Sequence, residues 1–264
     1  MSVSAANDRY SPVTLVAWSV FIEAMRRKDF YVVLIMSALF ALGVVIARMG
    51  GVMTPTTGIF LINLGMTLSF LFAAILTIAM AVRTIPAEME QRTIHPLLAK
   101  PVSRTQVILG KWTAITTSST IAMLVLLLIV IVPVPKSASL SALLFLQAIV
   151  LKVVALGFLA AMGMVFSLVM PRALNFVLLA VIYGVGGSIG NFLRAKAMRS
   201  DMKAFWLWII GYIPNPDLMD LTKRYTDGAA ALSGPQFAGI ALYGIVATIF
   251  LLATACVLFR RKVL

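Results

Sequence analysis

Long runs of apolar side chains alternate with short polar breaks along almost the whole chain. Phe30–Ala47 is the first run, Gly58–Val82 the second, and Thr113–Val132 the third, closed by Pro133 and Pro135. A fourth run, Leu140–Met170, stops at Pro171. Ala173–Ile189 is the fifth, and Phe237–Phe259 the last, halted by Arg260, Arg261 and Lys262. A helix needs about 20 apolar residues to cross about 30 Å of hydrocarbon. The runs therefore predict an all-α polytopic membrane protein, a single transmembrane domain over 1–264 with six transmembrane helices. The fourth span is taken as 150–170, because the full run is longer than the hydrocarbon requires. An even number of spans puts both termini on one side.

The flanks add two elements. Pro12–Lys28 carries Val13, Val16, Ala17, Val20, Phe21 and Ala24 at helical spacing with Trp18 beside them. This predicts an amphipathic interface helix over 12–28, a plain lead-in helix being the other reading. Residues 1–29 carry Asp8, Arg9, Glu23, Arg26, Arg27, Lys28 and Asp29, with no early apolar core and no small-residue cleavage site, and so do not read as a secretory signal. Residues 190–236 form a long stretch between spans five and six. Within it, Phe205–Tyr212 is aromatic and apolar but too short to span. A re-entrant segment and an ordinary folded outer loop fit it equally.

Composition agrees with lipid as the solvent. Apolar residues make up 61% and charged residues 12%, with mean hydropathy +1.03, whereas soluble domains run near 45–50% and 25%. The net charge of +13 points to lipid-facing topology before nucleic acid, and no nucleic-acid partner is expected. Arg9, Arg26, Arg27, Lys28, Arg83, Arg92, Lys100, Arg104, Lys111, Arg172, Arg260, Arg261 and Lys262 all fall on the side of the termini, against Arg48 and Lys136 in the short loops opposite, with six more in the long stretch 190–236, where length weakens their weight. By the positive-inside rule both termini are cytoplasmic. The place expected is the cytoplasmic (inner) membrane.

Catalytic chemistry is hard to find. Gly110-Lys111 resembles part of a phosphate loop, but Thr105 and Trp112 stand where that loop needs Gly and Ser or Thr. Gly184, Gly186, Gly187 and Gly190 miss dinucleotide spacing, and Gly186 with Gly190 suits close helix packing. One cysteine and one histidine exclude a disulfide framework and a Cys- or His-rich metal site. The methionines are scattered and read as adaptable core filler. Lys152 is the ionisable residue inside a span. Near the outer edge it can snorkel to water, or it can line a substrate path. So little interior charge argues against an ion channel or proton-coupled carrier.

The stretch between spans two and three is the informative one. It holds Glu88 and Glu90, then Arg92-Thr93-Ile94, Leu97-Leu98, Pro101-Val102-Ser103-Arg104, and Gly110-Lys111. Glu88–Leu98 can form a short helix with one charged and one apolar face, broken by Pro101. By itself this fits either a docking element or a basic loop that fixes topology. These residues resemble the permease subunits of ATP-binding-cassette transporters of the type-2 export family. Closest are the six-span permeases of nitrous oxide reductase maturation and gliding motility systems. The resemblance implies that 83–112 is a cytoplasmic coupling loop engaging a separate ATPase through Glu88, Glu90, Arg92, Thr93, Leu97, Leu98, Pro101, Arg104, Gly110 and Lys111. Arg104 and Lys111 suit headgroup anchors equally.

It further implies no cofactor in this chain, with ATP and Mg on the ATPase. A second copy, or a homologous permease, would complete the transporter. A non-enzymatic subunit exporting a lipidic or hydrophobic substrate is the expected function. The alternative is an ATPase-driven scaffold or biogenesis factor acting on a periplasmic protein.

Overall fold

The computed structural model describes residues 28–51, 55–91, 104–131, 141–184, 216–222, 224 and 229–262. Among these residues every regular element is helical. The long helices are α1 (Lys28–Met49), α2 (Pro55–Gln91), α3 (Arg104–Ile131), α4 (Ala142–Val169) and α6 (Gly234–Lys262). Between the last two come the shorter apolar helix α5 (Arg172–Gly184) and a 3-10 turn, Pro216–Met219. Gly58–Thr84, Thr105–Ile129, Ala142–Val169 and Gly234–Arg261 are each long and apolar enough to cross a membrane. The expected interface helix over 12–28 and most of the stretch 190–236, including Phe205–Tyr212, lie outside the described residues.

Helix ends differ from the expected run ends for simple reasons. Apolar runs mark only the part of a helix that needs lipid, whereas backbone hydrogen bonding continues past it. Thus α2 continues through Gln91 rather than ending at Val82, and α3 begins at Arg104 rather than Thr113. Consequently Glu88 and Glu90 belong to the end of α2, not to a separate short helix over 88–98. The break at Pro171 is where the sequence put it. Met170 precedes proline and takes an extended conformation, φ −121° and ψ 154°, while its N–H still closes onto Phe166 O at 2.8 Å. Ser141 starts α4 by accepting from Leu144 N at 3.4 Å. Gly51, with φ +67°, follows the end of α1, a conformation that glycine adopts without a Cβ clash.

Helix α4 is the axis of the fold. Every residue from Ala155 to Val165 is buried, so no face is left for solvent or lipid over three turns. It packs against α2, α3 and α6. Contacts at Lys111–Thr84 and Trp112–Gly157 run α3 antiparallel to α2 and α4. Small residues let the helices approach: a Cβ on Gly163 would lie 2.7 Å from the Ala81 Cβ, and one on Gly244 would lie 2.5 Å from Val154 Cγ1. Helix α6 instead exposes Leu242, Ile245, Ile249 and Phe250, as a helix bordering lipid does.

Hydroxyls inside these helices are mostly satisfied locally. Thr77 donates to Ala73 O at 2.8 Å and Thr248 to Gly244 O at 2.7 Å, each one turn back. In α3, Thr113 and Thr117 keep that habit, bonding Gly110 O at 2.9 Å and Thr113 O at 2.7 Å, but their neighbours do not. The buried hydroxyls of Thr116, Ser118, Ser119 and Thr120 have no hydrogen-bond partner among the described residues, in a helix packed against α1, α2, α4 and α6.

Candidate functional site

Four segments of chain converge on Lys152. The residue sits on α4 with 2% of its surface exposed. Its Nζ donates to Asp220 Oδ2 at 3.0 Å. The same ammonium lies 4.8 Å from the ring centroid of Phe70 on α2 and 5.3 Å from that of Tyr183 on α5. Both rings present negative π density to a cation. Tyr183 in turn donates its hydroxyl to Phe70 O at 3.4 Å, which ties α5 to α2 at the same level. Asp220 follows the 3-10 turn, and its second oxygen accepts from Thr222 N at 2.9 Å.

Asp220 is less enclosed than its partner, with 38% of its side chain exposed against 3% for Lys152. Burial pushes the Asp220 carboxyl up. The facing Lys152 ammonium and the hydrogen bonds from Thr222 outweigh that and hold it below the ordinary carboxylate value. The carboxylate therefore stays charged at neutral pH. Lys152 does not snorkel to water: its charge is met inside the protein.

Two further contacts bind the chain around Asp220 to the start of the bundle. Gln147 donates its Nε2 to Leu232 O at 3.0 Å, and Leu232 N donates back to Gln147 Oε1 at 2.9 Å. Met219, 1% exposed, packs against Gly244 on α6, where a Cβ would come within 2.8 Å of its methyl carbon.

At the opposite end of α2, Lys111 is likewise buried, with 2% exposure. Its Nζ donates to Thr84 O at 3.3 Å. That geometry is a helix-to-helix tie and not a headgroup anchor. The next residue of α3, Trp112, donates its indole N–H to Gly157 O at 2.8 Å. Asn175 on α5 donates to Gly163 O at 3.0 Å. Carbonyls that α4 leaves accessible beside its glycines are thus met from both flanking helices.

The residues expected to contact an ATPase fall as follows. Glu88 and Glu90 lie in the last two turns of α2, and their side chains are outside the described part. Arg92, Thr93, Leu97, Leu98 and Pro101 are outside the described residues. Arg104 opens α3, while Gly110 and Lys111 are buried within it. Phe70, Tyr183, Gln147 and Asp220 were not anticipated. A lysine buried in a span needs a carboxylate, and the stretch before α6 offers Asp201, Asp217, Asp220 and Asp227. Nothing in their spacing selects one. Among the described residues no three His, Cys, Asp or Glu side chains gather into a metal-binding group.

Long apolar helices stacked around an α4 that is enclosed from Ala155 to Val165 define a multi-pass membrane protein. The family described as ABC-2 family transporter protein matches residues 14–264, and the chain belongs to that family. It is therefore a transmembrane transporter subunit, a membrane transport component of a family whose permeases usually work with an ATP-binding subunit. Among curated proteins none matches the chain significantly.

Proposed function

We propose that this chain is the six-span permease of an ATP-driven exporter, with α1 and α5 completing the crossings made by α2, α3, α4 and α6. In this reading the termini and the α2–α3 connection face the cytoplasm of the cell that holds it in its inner membrane. Two copies pair, each docked to one ATPase. Glu88, Glu90, Arg92, Thr93, Leu97, Leu98, Pro101 and Arg104 provide the docking element. The likeness to nitrous oxide reductase maturation and gliding motility systems supports this arrangement without fixing the cargo.

One observation carries the coupling idea. The acidic pair belongs to the same helix, α2, that runs on through the bundle to Phe70, and the buried Lys111 ties α3 to Thr84 just before that pair. A push on the end of α2 is then passed to α3 as a rigid-body displacement, because packed helices shift as units. ATP binding on the partner supplies the push. The substrate is amphiphilic in this reading: apolar walls suit a lipidic body, and the unpartnered hydroxyls of α3 suit a polar portion.

Reversing charge at the docking element tests the reading. Glu88→Lys with Glu90→Lys should lower ATPase co-purification at least about tenfold, as misplaced like charges across an interface do. Membrane insertion and thermal stability should hold. Unchanged association and unchanged coupled ATPase activity would remove both residues from the coupling role. ATPase activity stimulated by a periplasmic protein, but by no small substrate, would favour the scaffold alternative.

A further inference from the structure

Hydroxyl groups gather where α3 meets α4. Trp112 and Thr116 of α3 both face Gly157 of α4: the indole donates to its carbonyl at 2.8 Å, and a Cβ there would lie 3.7 Å from Thr116 Cγ2. Ser119 and Thr120 follow Thr116 by three and four residues, which puts them on the same face of the helix. The hydroxyls of Thr116, Ser119 and Thr120 are buried with no hydrogen-bond partner among the described residues, and Ser119 is 0% exposed. Thr117, on the exposed side, bonds back to Thr113 O. The three at the seam leave the same kind of acceptor, one turn back, unused.

The opposite wall gives them nothing. On α4 the stripe through Gly157 reads Leu146, Val150, Val153, Gly157, Ala160 and Met164. Its polar tie to α3 is the Gly157 carbonyl, which Trp112 already engages. A charged guest would find no counter-ion on these two faces. A neutral oxygen group would satisfy hydroxyls that both donate and accept. The seam borders lipid along its outer half, where Leu146 is 59% and Val150 39% exposed on α4, and Leu124 39% and Leu128 62% on α3. Of the three long helices packed on α4, α3 meets it least extensively. Depth narrows the guest further. Ser119 lies about 21 Å along the apolar span that begins at Thr105, near its middle. A polar group at that level has no water and must find its hydrogen bonds in protein.

We propose that Thr116, Ser119 and Thr120 form a mid-membrane site for the uncharged hydrogen-bonding part of an amphiphile, a hydroxyl or ester. Its acyl chain stays in lipid beside Leu124 and Val150. The role in transport rests on the permease reading above, whereas binding needs no ATPase.

The test uses the purified full chain, with whatever subunits accompany it, in nanodiscs of ether-linked phosphatidylcholine, a lipid without hydroxyl or ester. Wild type, Ser119→Ala and the triple variant Thr116→Val, Ser119→Ala, Thr120→Val are titrated with 1,2-dioctanoylglycerol and, separately, with hexadecane. Apparent Tm is the readout. Without probe the triple variant should melt no lower than wild type, because the hydroxyls it loses are unsatisfied. Dioctanoylglycerol should raise wild type by about 3–6 °C at tenfold its dissociation constant. Ser119→Ala should need about fivefold more for the same rise. The triple variant should not respond, and hexadecane should raise none of the three. A triple variant that melts lower or cannot be recovered would mean that water or the helix itself already satisfies these hydroxyls, and would overturn the proposal. So would equal dioctanoylglycerol responses in wild type and triple variant, or a hexadecane response of the same size. If an ATPase co-purifies while those responses are equal, the site fails alone. A hydroxyl-dependent response with no co-purifying ATPase upholds the site and removes the permease reading.

Discussion

Replacing Asp220 with Asn should cost more stability than replacing Lys152 with Met, although both break the same 3.0 Å ion pair. After Asp220→Asn, an ammonium with 3% exposure stays between two rings and keeps only a neutral amide as partner. Breaking a buried pair costs about 3–5 kcal/mol, and the 38% exposure of the lost carboxylate puts the value at the low end, about 3 kcal/mol. After Lys152→Met, the half-open Asp220 rehydrates, and the thioether fills the vacated volume against the rings. That loss is about 1 kcal/mol. The double variant retains no buried charge and should resemble Lys152→Met alone, about 3 kcal/mol less destabilised than the two losses added together. In apparent Tm, read by fluorescence-detected gel filtration after heating, this is about 6–12 °C for Asp220→Asn against about 2–4 °C for the other two. Equal losses, or a double variant showing the full sum, would refute the idea that the enclosed cation dominates.

Acid should act on the same pair late. The Asp220 carboxyl is held below its ordinary value, so the stability it contributes is complete above the unfolded value of about 3.9. It is lost as pH falls through the lower, folded value. The Tm advantage of wild type over Lys152→Met should therefore persist from pH 8 down to about 4. A collapse near pH 6 would mean that another group titrates. Glycine at 163 should resist substitution in a way that glycine at 43 does not. A Cβ at 163 meets Ala81 Cβ at 2.7 Å and Leu179 Cδ1 at 3.1 Å, whereas one at 43 meets nothing within 4 Å. Gly163→Ala should lose about 1–2 kcal/mol even after its helix-propensity gain, and Gly43→Ala should gain or stay level. Matching Tm values for the two would contradict the packing described.

Hydropathy made much of the bundle legible. Lipid is a simple solvent, and a run such as Gly58–Val82 has few ways to satisfy its backbone other than a helix. Pro171 gave the α4–α5 break for an equally local reason, its missing N–H. Helix ends were less legible, because Arg83–Gln91 and Arg104–Trp112 are polar and yet helical, continuing α2 and preceding the apolar part of α3. Tertiary chemistry was the hidden part. Lys152 was visible as the ionisable residue of a span, but its partner stands 68 positions away, on a segment with no periodicity to place it. The same holds for Lys111, which looks like a surface cation and is instead buried against Thr84. The docking residues Arg92, Thr93, Leu97, Leu98 and Pro101 rest on likeness to a family, now matched over residues 14–264.

The most direct measurement is a mild-detergent pull-down of the tagged chain from its native membrane, followed by intact-complex mass spectrometry. The permease reading predicts a co-purifying ATPase with a phosphate-binding loop, in a complex of two copies of each chain. An additional periplasmic protein in that complex would shift weight to the scaffold alternative. A homo-oligomer of this chain with no ATPase would contradict the coupling role of Glu88, Glu90 and the residues that follow them.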